Sequence, residues 1–152
     1  MIKTAYRAMA FAAVVLLAGC QSSSVTPAQK QAMQQMTPQQ RDQVGRQAAQ
    51  RLRQNQIKEN ADLRVRDVRY RASDDTLVLD LQLKNFRDAG KMNAQQRRDM
   101  ENKVVREMRK RTCADADMKS VMVHGRYALE YRILLNTGKA LMKPVRVTAA
   151  HC

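Results

Sequence analysis

Five side chains in this sequence are best suited to chemistry: Cys20, Cys113, Cys152, His124 and His151. Cys113 and Cys152 could form a disulfide, or could bind zinc together with His151. Two cysteines so far apart lack the usual spacing of zinc ligands, which favours the disulfide. His124 precedes a glycine and His151 is the penultimate residue, so we expect solvated or packing roles for both histidines.

No pattern typical of an enzyme is present. The sequence has no glycine-rich phosphate loop and no spaced pair of carboxylates on one predicted face. The acidic pairs Asp74-Asp75 and Asp115-Asp117 are typical of turns and helix ends. We therefore predict a binding protein rather than an enzyme, with no cofactor and no metal.

Residues 1–19 have the layout of a secretory signal. Lys3 and Arg7 form a basic start, and the apolar run from Ala8 to Leu17 is far shorter than the ~20 residues that cross a bilayer. The following Leu17-Ala18-Gly19-Cys20 resembles the bacterial lipobox. The resemblance implies cleavage before Cys20 and acylation of that cysteine. An ordinary signal peptide with a chance cysteine at the cut site is the alternative.

Acylation would decide both the location and the remaining cysteine pairing. Two or three acyl chains anchor a protein stably. In enterobacterial lipoproteins an aspartate after the acylated cysteine favours retention in the inner membrane, so with Gln21 the lipobox resemblance implies sorting to the outer membrane. In the oxidising periplasm, Cys113 and Cys152 would then form the one remaining pair. Closing a loop of about 40 residues stabilises by about 4 kcal/mol in the chain-entropy model.

The basic charge belongs to the mature chain. Residues 1–19 contain two of the 28 basic residues and none of the 14 acidic ones, so the rest of the chain carries +12. Secretion argues against nucleic acid as the partner. So does the scarcity of aromatic side chains that could stack on bases. Anionic envelope polymers or an acidic protein surface are better candidates, and a merely solubilising basic face is the alternative.

The first half of the mature chain predicts a tether, a helix and a hairpin. Residues 20–37 are rich in Ser and Gln and predict a flexible tether. Thr37 caps a helix that begins at Pro38 and ends near Asn55. Alternating apolar residues predict a strand over residues 63–71, in which a slip of the pattern near Asp67 indicates a bulge or two short strands, and a further strand over residues 77–83.

The second half predicts a helix and three strands. Asn93 caps a helix whose apolar stripe is Met100, Val104 and Met108 and whose other face is cationic. Three strands then follow at residues 118–124, 127–135 and 141–148, the last made irregular by its proline. We therefore predict one α+β domain over residues 38–152. It would have an antiparallel sheet of about five strands (order helix, two strands, helix, three strands), helices on one face and one disulfide.

The segment from Cys113 to Cys152 resembles the α/β pilotins of type II secretion, of the AspS type. The shared features are Cys113-Ala114-Asp115 at a helix end, His124-Gly125, Tyr131, a turn at Gly138 and the closing Cys152. The match covers 40 of the 152 residues. Only the acylated Cys20 and the Cys113–Cys152 disulfide transfer residue by residue.

The resemblance implies a function. A pilotin is an outer-membrane lipoprotein that binds a C-terminal segment of a secretin subunit and aids its targeting and assembly. The expected binding mode is an amphipathic helix in an apolar groove, although the sequence does not place that groove. The alternative is an envelope lipoprotein that binds an anionic polymer, peptidoglycan or lipopolysaccharide, or regulates an envelope enzyme.

Overall fold

The computed structural model describes residues 25–54, 62–86 and 89–152, and within these ranges four helices lie on one side of a four-stranded sheet. Residues 1–24, with the predicted signal and Cys20, lie outside the described ranges. In chain order the elements are α1 (Pro27–Gln34), α2 (Pro38–Gln54), β1 (Leu63–Arg71), β2 (Thr76–Leu83), α3 (Ala94–Ala114), α4 (Ala116–Gly125), β3 (Ala128–Leu134) and β4 (Val145–Val147).

Helices α2 and α3 begin at the predicted caps. The Thr37 hydroxyl accepts from the Gln40 amide at 3.2 Å, and the Gln40 side chain accepts from the Thr37 amide at 2.8 Å. Asn93 and Gln96 make the same reciprocal pair, with both distances 2.9 Å. Each pair satisfies two backbone N–H groups that the first helical turn leaves open, which confirms both predicted starts.

The predicted hairpin of β1 and β2 is confirmed, including its bulge. The two strands are antiparallel, and their register shifts between Val65 and Asp67, where the sequence pattern slips. The 3-10 turn Ala72–Asp74 joins them, and Asp75 closes it in the left-handed conformation. One face of the hairpin therefore remains apolar on both sides of the bulge.

The prediction of five antiparallel strands is wrong, because the sheet has four strands and is mixed. Its order is β1-β2-β3-β4, and β2 and β3 are parallel, with Leu79 opposite Tyr131. A parallel pair needs a long crossover, and α3 and α4 supply it. The predicted last strand is also shorter, with regular pairing only over Val145–Val147, directly after Pro144.

The strand predicted over residues 118–124 is helix α4. Asp115 caps this helix, since its carboxylate accepts from the amides of Asp117 and Met118. Met118 and Met122 lie one helical turn apart and both contact the core. Arg126, in the left-handed conformation, ends the helix. A short apolar run does not distinguish a strand from a buried helix, and here the cap decides.

Part of the predicted tether is helical. Helix α1 occupies Pro27–Gln34, begins with a capping box between Thr26 and Gln29, and packs against α4. The side chain of Met33 is 6% exposed, and the Gln34 amide lies 3.0 Å from the His124 ring nitrogen. Packing on α4 therefore stabilises this short Gln-rich helix, which would be marginal in isolation.

The apolar face of the sheet is buried very differently at its two ends. We call the end with Leu77, Leu129 and Val147 the closed end, where these side chains are 4%, 0% and 0% exposed. The opposite end is the open end, where Leu63 pairs with Leu83 and both side chains are half-buried. The core is therefore sealed at only one end.

Candidate partner-binding surface

The open end presents a half-buried apolar surface that is continuous with the core. Its strand residues form one layer across the sheet. Leu63 is opposite Leu83, and because Gln82 is opposite Leu134, the residue that follows Leu134, Leu135, is level with Leu83. We call this set the open-end surface, and its half-buried members are Leu52, Leu63, Val65, Leu83, Phe86, Met100, Val104 and Leu135.

Helix α2 forms one side of this surface and is fixed against β1. The Tyr70 ring lies so close to Gly45 that a β-carbon there would be 2.4 Å from it. Nearer the open end, the Arg53 guanidinium donates to the Val68 carbonyl at 2.7 Å and lies 3.0 Å from the Asp67 carboxylate. These contacts hold α2 along β1, with its last turns toward the open end.

Helix α3 forms the other side and is held mainly at its C-terminal end. Thr112 is the one residue of α3 that is fully buried, and its hydroxyl lies 2.9 Å from the Tyr131 hydroxyl. Burial raises the pKa of Tyr131, so the phenol stays neutral. The first turns of α3 are exposed, and Met100 is its first half-buried apolar residue. The N-terminal half of α3 therefore overhangs the open end.

The predicted Cys113–Cys152 disulfide is present. It joins the last turn of α3 to the chain end, across 39 residues of sequence. Because each sulfur is bonded to the other, neither is a thiolate that could bind zinc, and His151 instead bonds the Thr148 amide at 3.0 Å. No group of three His, Cys, Asp or Glu side chains among the described residues could hold a metal ion.

A polar cluster holds the closed end together. The Tyr127 hydroxyl donates to the Arg41 carbonyl at 2.8 Å, and the Arg41 guanidinium lies 3.2 Å from the Asp75 carboxylate. The Tyr70 hydroxyl also donates to the Asp75 carboxylate. The Tyr70 and Tyr127 rings pack edge to face, with their centroids 6.2 Å apart. Burial raises the pKa of both tyrosines, which keeps them as neutral donors. The cluster is structural, with each hydroxyl already bonded.

The arginines on the other face of the sheet are paired with carboxylates. Arg69 lies 2.8 Å from Asp80, and Arg71 lies 2.8 Å from both Asp74 and Glu130. The Asp80 and Glu130 side chains are 13% and 14% exposed, beneath arginines that are 40% and 41% exposed. The arginine-rich strand therefore forms an ion-pair layer over the sheet, with much of its charge neutralised.

The excess positive charge is clearest on the outer face of α3. Lys103, Arg106 and Lys110 are exposed and lie three or four residues apart, which places them on one face. Arg111 is also exposed but pairs with Glu107 at 2.8 Å. None of the described helices is both long enough and apolar enough to cross a membrane.

Comparison with known proteins gives matches in structure only. No family model matches the sequence, and no curated protein matches it either. The pilotin EpsS of the Vibrio vulnificus type 2 secretion system matches with a TM-score of 0.59 and 16% identity, over 76% of this chain and 94% of EpsS. The type II secretion pilotin AspS of Vibrio cholerae matches with a TM-score of 0.56 and 18% identity, over 82% of this chain and 97% of AspS.

This chain has the fold of the type II secretion pilotins. A protein from Pseudomonas aeruginosa that is described as secreted shares the fold, with a TM-score of 0.54 and 14% identity. The resemblance inferred from Cys113 to Cys152 is confirmed at the level of fold. The match also extends over the first half of the domain, where the sequence showed no such likeness.

The open-end surface could not be located from the sequence pattern. The one available signal was Phe86, the sole phenylalanine after the predicted signal, which directly follows the strand that ends at Leu83. The stripe of Met100, Val104 and Met108 was predicted correctly as a helix face. Its partial burial follows from the overhang of α3, which periodicity cannot show.

Proposed function

We propose that this chain is a lipid-anchored pilotin whose open-end surface binds the C-terminal segment of a secretin subunit. Acylated Cys20 would hold it in the outer membrane, with the domain in the periplasm. It would act as an adaptor that aids secretin targeting and assembly, not as an enzyme. The observation that carries the proposal is the pilotin fold with one apolar end of the core left half-covered.

The open-end surface suits an amphipathic helix. Its side chains come from β1, β2, α2, α3 and the segments that follow β2 and β3, so an apolar helix face laid between α2 and α3 would contact all of them. Completing the burial of each half-exposed Leu, Phe or Met contributes about 1 kcal/mol. Several such contacts would support specific binding that does not depend on charge and so resists salt.

Peptide binding tests the surface directly. We would measure fluorescence anisotropy of a labelled secretin C-terminal peptide and compare Met100→Gln with Met118→Gln. Both methionines are half-buried in helices, but Met100 lies at the open end and Met118 lies on α4. We expect Met100→Gln to weaken binding about tenfold, a loss of about 1.4 kcal/mol, and Met118→Gln to leave it unchanged. Equal effects, or no binding by the wild type, would contradict the proposal.

Fractionation tests the anchored role in cells. Deleting the gene should remove detergent-resistant secretin multimers from the outer membrane or leave them in the inner membrane. The wild-type gene should restore them and Cys20→Ala should not, because two or more acyl chains supply stable anchoring. Multimers that stay unchanged in the outer membrane after deletion would exclude the pilotin role.

The exposed cations of α3 support a second candidate, binding to an anionic envelope polymer. The arginine-rich strand β1 supports this second candidate less, because the guanidiniums of Arg69 and Arg71 already have carboxylate partners. Sedimentation with peptidoglycan sacculi or lipopolysaccharide distinguishes the two candidates. Binding that falls steeply with salt and is lost in a Lys103, Arg106 and Lys110 triple glutamine variant would favour the polymer.

A further inference from the structure

We infer that the surface formed by α1 and the exposed face of α4 rests on the phospholipid headgroup layer, so that the open end points away from the membrane. The inference rests on the proposed acylation of Cys20. It concerns a surface at the closed end, separate from the open-end surface proposed to bind the secretin.

The first argument is the length of chain between the anchor and the fold. Only five residue steps separate Cys20 from Val25, where the described structure begins. Even fully extended, they span roughly 18 Å. A domain of this size is roughly 35 Å across. The short connection therefore limits bilayer contact to the surface around α1.

The second argument is where α1 lies. It packs on α4, with Met33 3.8 Å from the position of a β-carbon on Gly125 and Gln34 bonded to His124. Gly125 in turn lies against the Tyr127 ring, directly before β3 begins at the closed end. The helix that follows the anchor is thus joined to the fold at the closed end, and the eight residues of β2 place the open end roughly 25 Å further along the sheet.

The third argument is the chemistry of the exposed face of α4. Val123 is 44% exposed and is the one large apolar side chain that is exposed among the described residues. Lys119 lies one helical turn before it on the same face, and the exposed Arg126 follows the helix. Lys30 of α1 adds a third cation, whereas Asp115 and Asp117 lie at the far, N-terminal end of α4.

An exposed apolar side chain between cations is suited to a phospholipid surface. The apolar group enters the boundary between headgroups and acyl chains, and each cation near an anionic surface contributes about 1 kcal/mol. With the closed end on the membrane, a partner helix would reach the open end from the periplasm. It would not compete with lipid for the same apolar surface.

Tryptophan fluorescence tests this orientation, because the natural sequence contains no tryptophan. The acylated protein would be reconstituted in vesicles of phosphatidylethanolamine and phosphatidylglycerol that carry bromine high on the acyl chains. Val123→Trp places the probe on α4. Gln95→Trp places a matched probe in the exposed first turn of α3, beyond the open end. We expect several-fold greater quenching of the Val123→Trp protein, and weaker quenching when Lys119→Glu is added.

Greater or equal quenching of the Gln95→Trp protein would overturn the inference. If Val123→Trp fails to fold, as judged by circular dichroism, Gln31→Trp on the exposed side of α1 replaces it. Mass spectrometry of the N-terminal peptide and binding of the secretin peptide are measured on the same vesicles. An acylated, peptide-binding protein with the wrong quenching pattern refutes the orientation alone. Absence of acyl chains on Cys20 refutes both the orientation and the anchoring.

Discussion

Both ends of the sheet present leucines to the helices, and the two ends differ in what covers those leucines. At the closed end, Leu129 is covered completely, and Tyr70 and Tyr127 each bond a neighbour through the hydroxyl. At the open end, Leu63 and Leu83 also face the helices but stay half-buried. A protein that only needed stability would gain from sealing both ends. The comparison therefore assigns stability to the closed end and agrees with the proposed binding role of the open end.

The largest expected difference between the ends is in the cost of removing a leucine. Leu129→Ala should lower the free energy of unfolding by about 4 kcal/mol, because it leaves a cavity in a fully buried site. Leu83→Ala should cost only about 1 kcal/mol, since that side chain is already half in water. Urea unfolding followed by circular dichroism measures both. Equal losses would mean that the open end is packed as tightly as the closed end.

The disulfide should rank next. The Cys113→Ser, Cys152→Ser double variant should lose about 2–4 kcal/mol of unfolding free energy, because the unfolded chain regains the freedom of the 39-residue loop. The loss should also loosen α3, which has few other buried contacts. Hydrogen exchange should therefore accelerate more in α3 than in β2. Uniform acceleration across both elements would show that α3 does not depend on the disulfide in particular.

How far the sequence predicts each end depends on whether the signal is local. The caps at Thr37 and Asn93 and the bulge near Asp67 are local, and all were predicted correctly. The parallel pairing of β2 with β3 was not, because it depends on a crossover that the pattern of a single strand does not show. The open-end surface was missed for the same reason. It depends on how α2 and α3 pack over one layer of leucines, and that tertiary arrangement is not visible in the pattern of any single segment.

A third prediction concerns the contact of α2 with the sheet. Gly45→Ala should destabilise by about 1–3 kcal/mol, because its β-carbon would lie 2.4 Å from the Tyr70 ring and force the closed-end cluster to shift. Gly90→Ala is the matched control, since nothing lies within 4 Å of a β-carbon there. Thermal unfolding compares the two variants. A similar melting temperature for both would mean that α2 moves away from β1 at little cost.

The smallest expected effect belongs to the ion-pair layer that covers the other face of the sheet. Arg71 lies 2.8 Å and Arg146 2.7 Å from the Asp74 carboxylate, and these bonds hold the pKa of Asp74 well below its usual range. A carboxyl group with a lowered folded pKa stabilises at pH above its unfolded value and loses that contribution as the pH falls toward its folded value. Because 36% of the Asp74 side chain is exposed to solvent, we expect Asp74→Asn to cost at most about 1 kcal/mol at pH 6.

The pH dependence separates this charge effect from a loss of packing. The difference in unfolding free energy between wild type and Asp74→Asn should be full near pH 6 and shrink as the pH falls below about 4, where the unfolded carboxyl takes up its proton. Added salt should shrink it as well, since the pair is exposed to solvent. Urea titrations from pH 2.5 to 7 measure it. A difference that stays constant over that range would mean that Asp74 acts through its hydrogen-bonding shape and not its charge. The second acceptor oxygen of the carboxylate, which asparagine replaces with an NH2 donor, would then account for the loss.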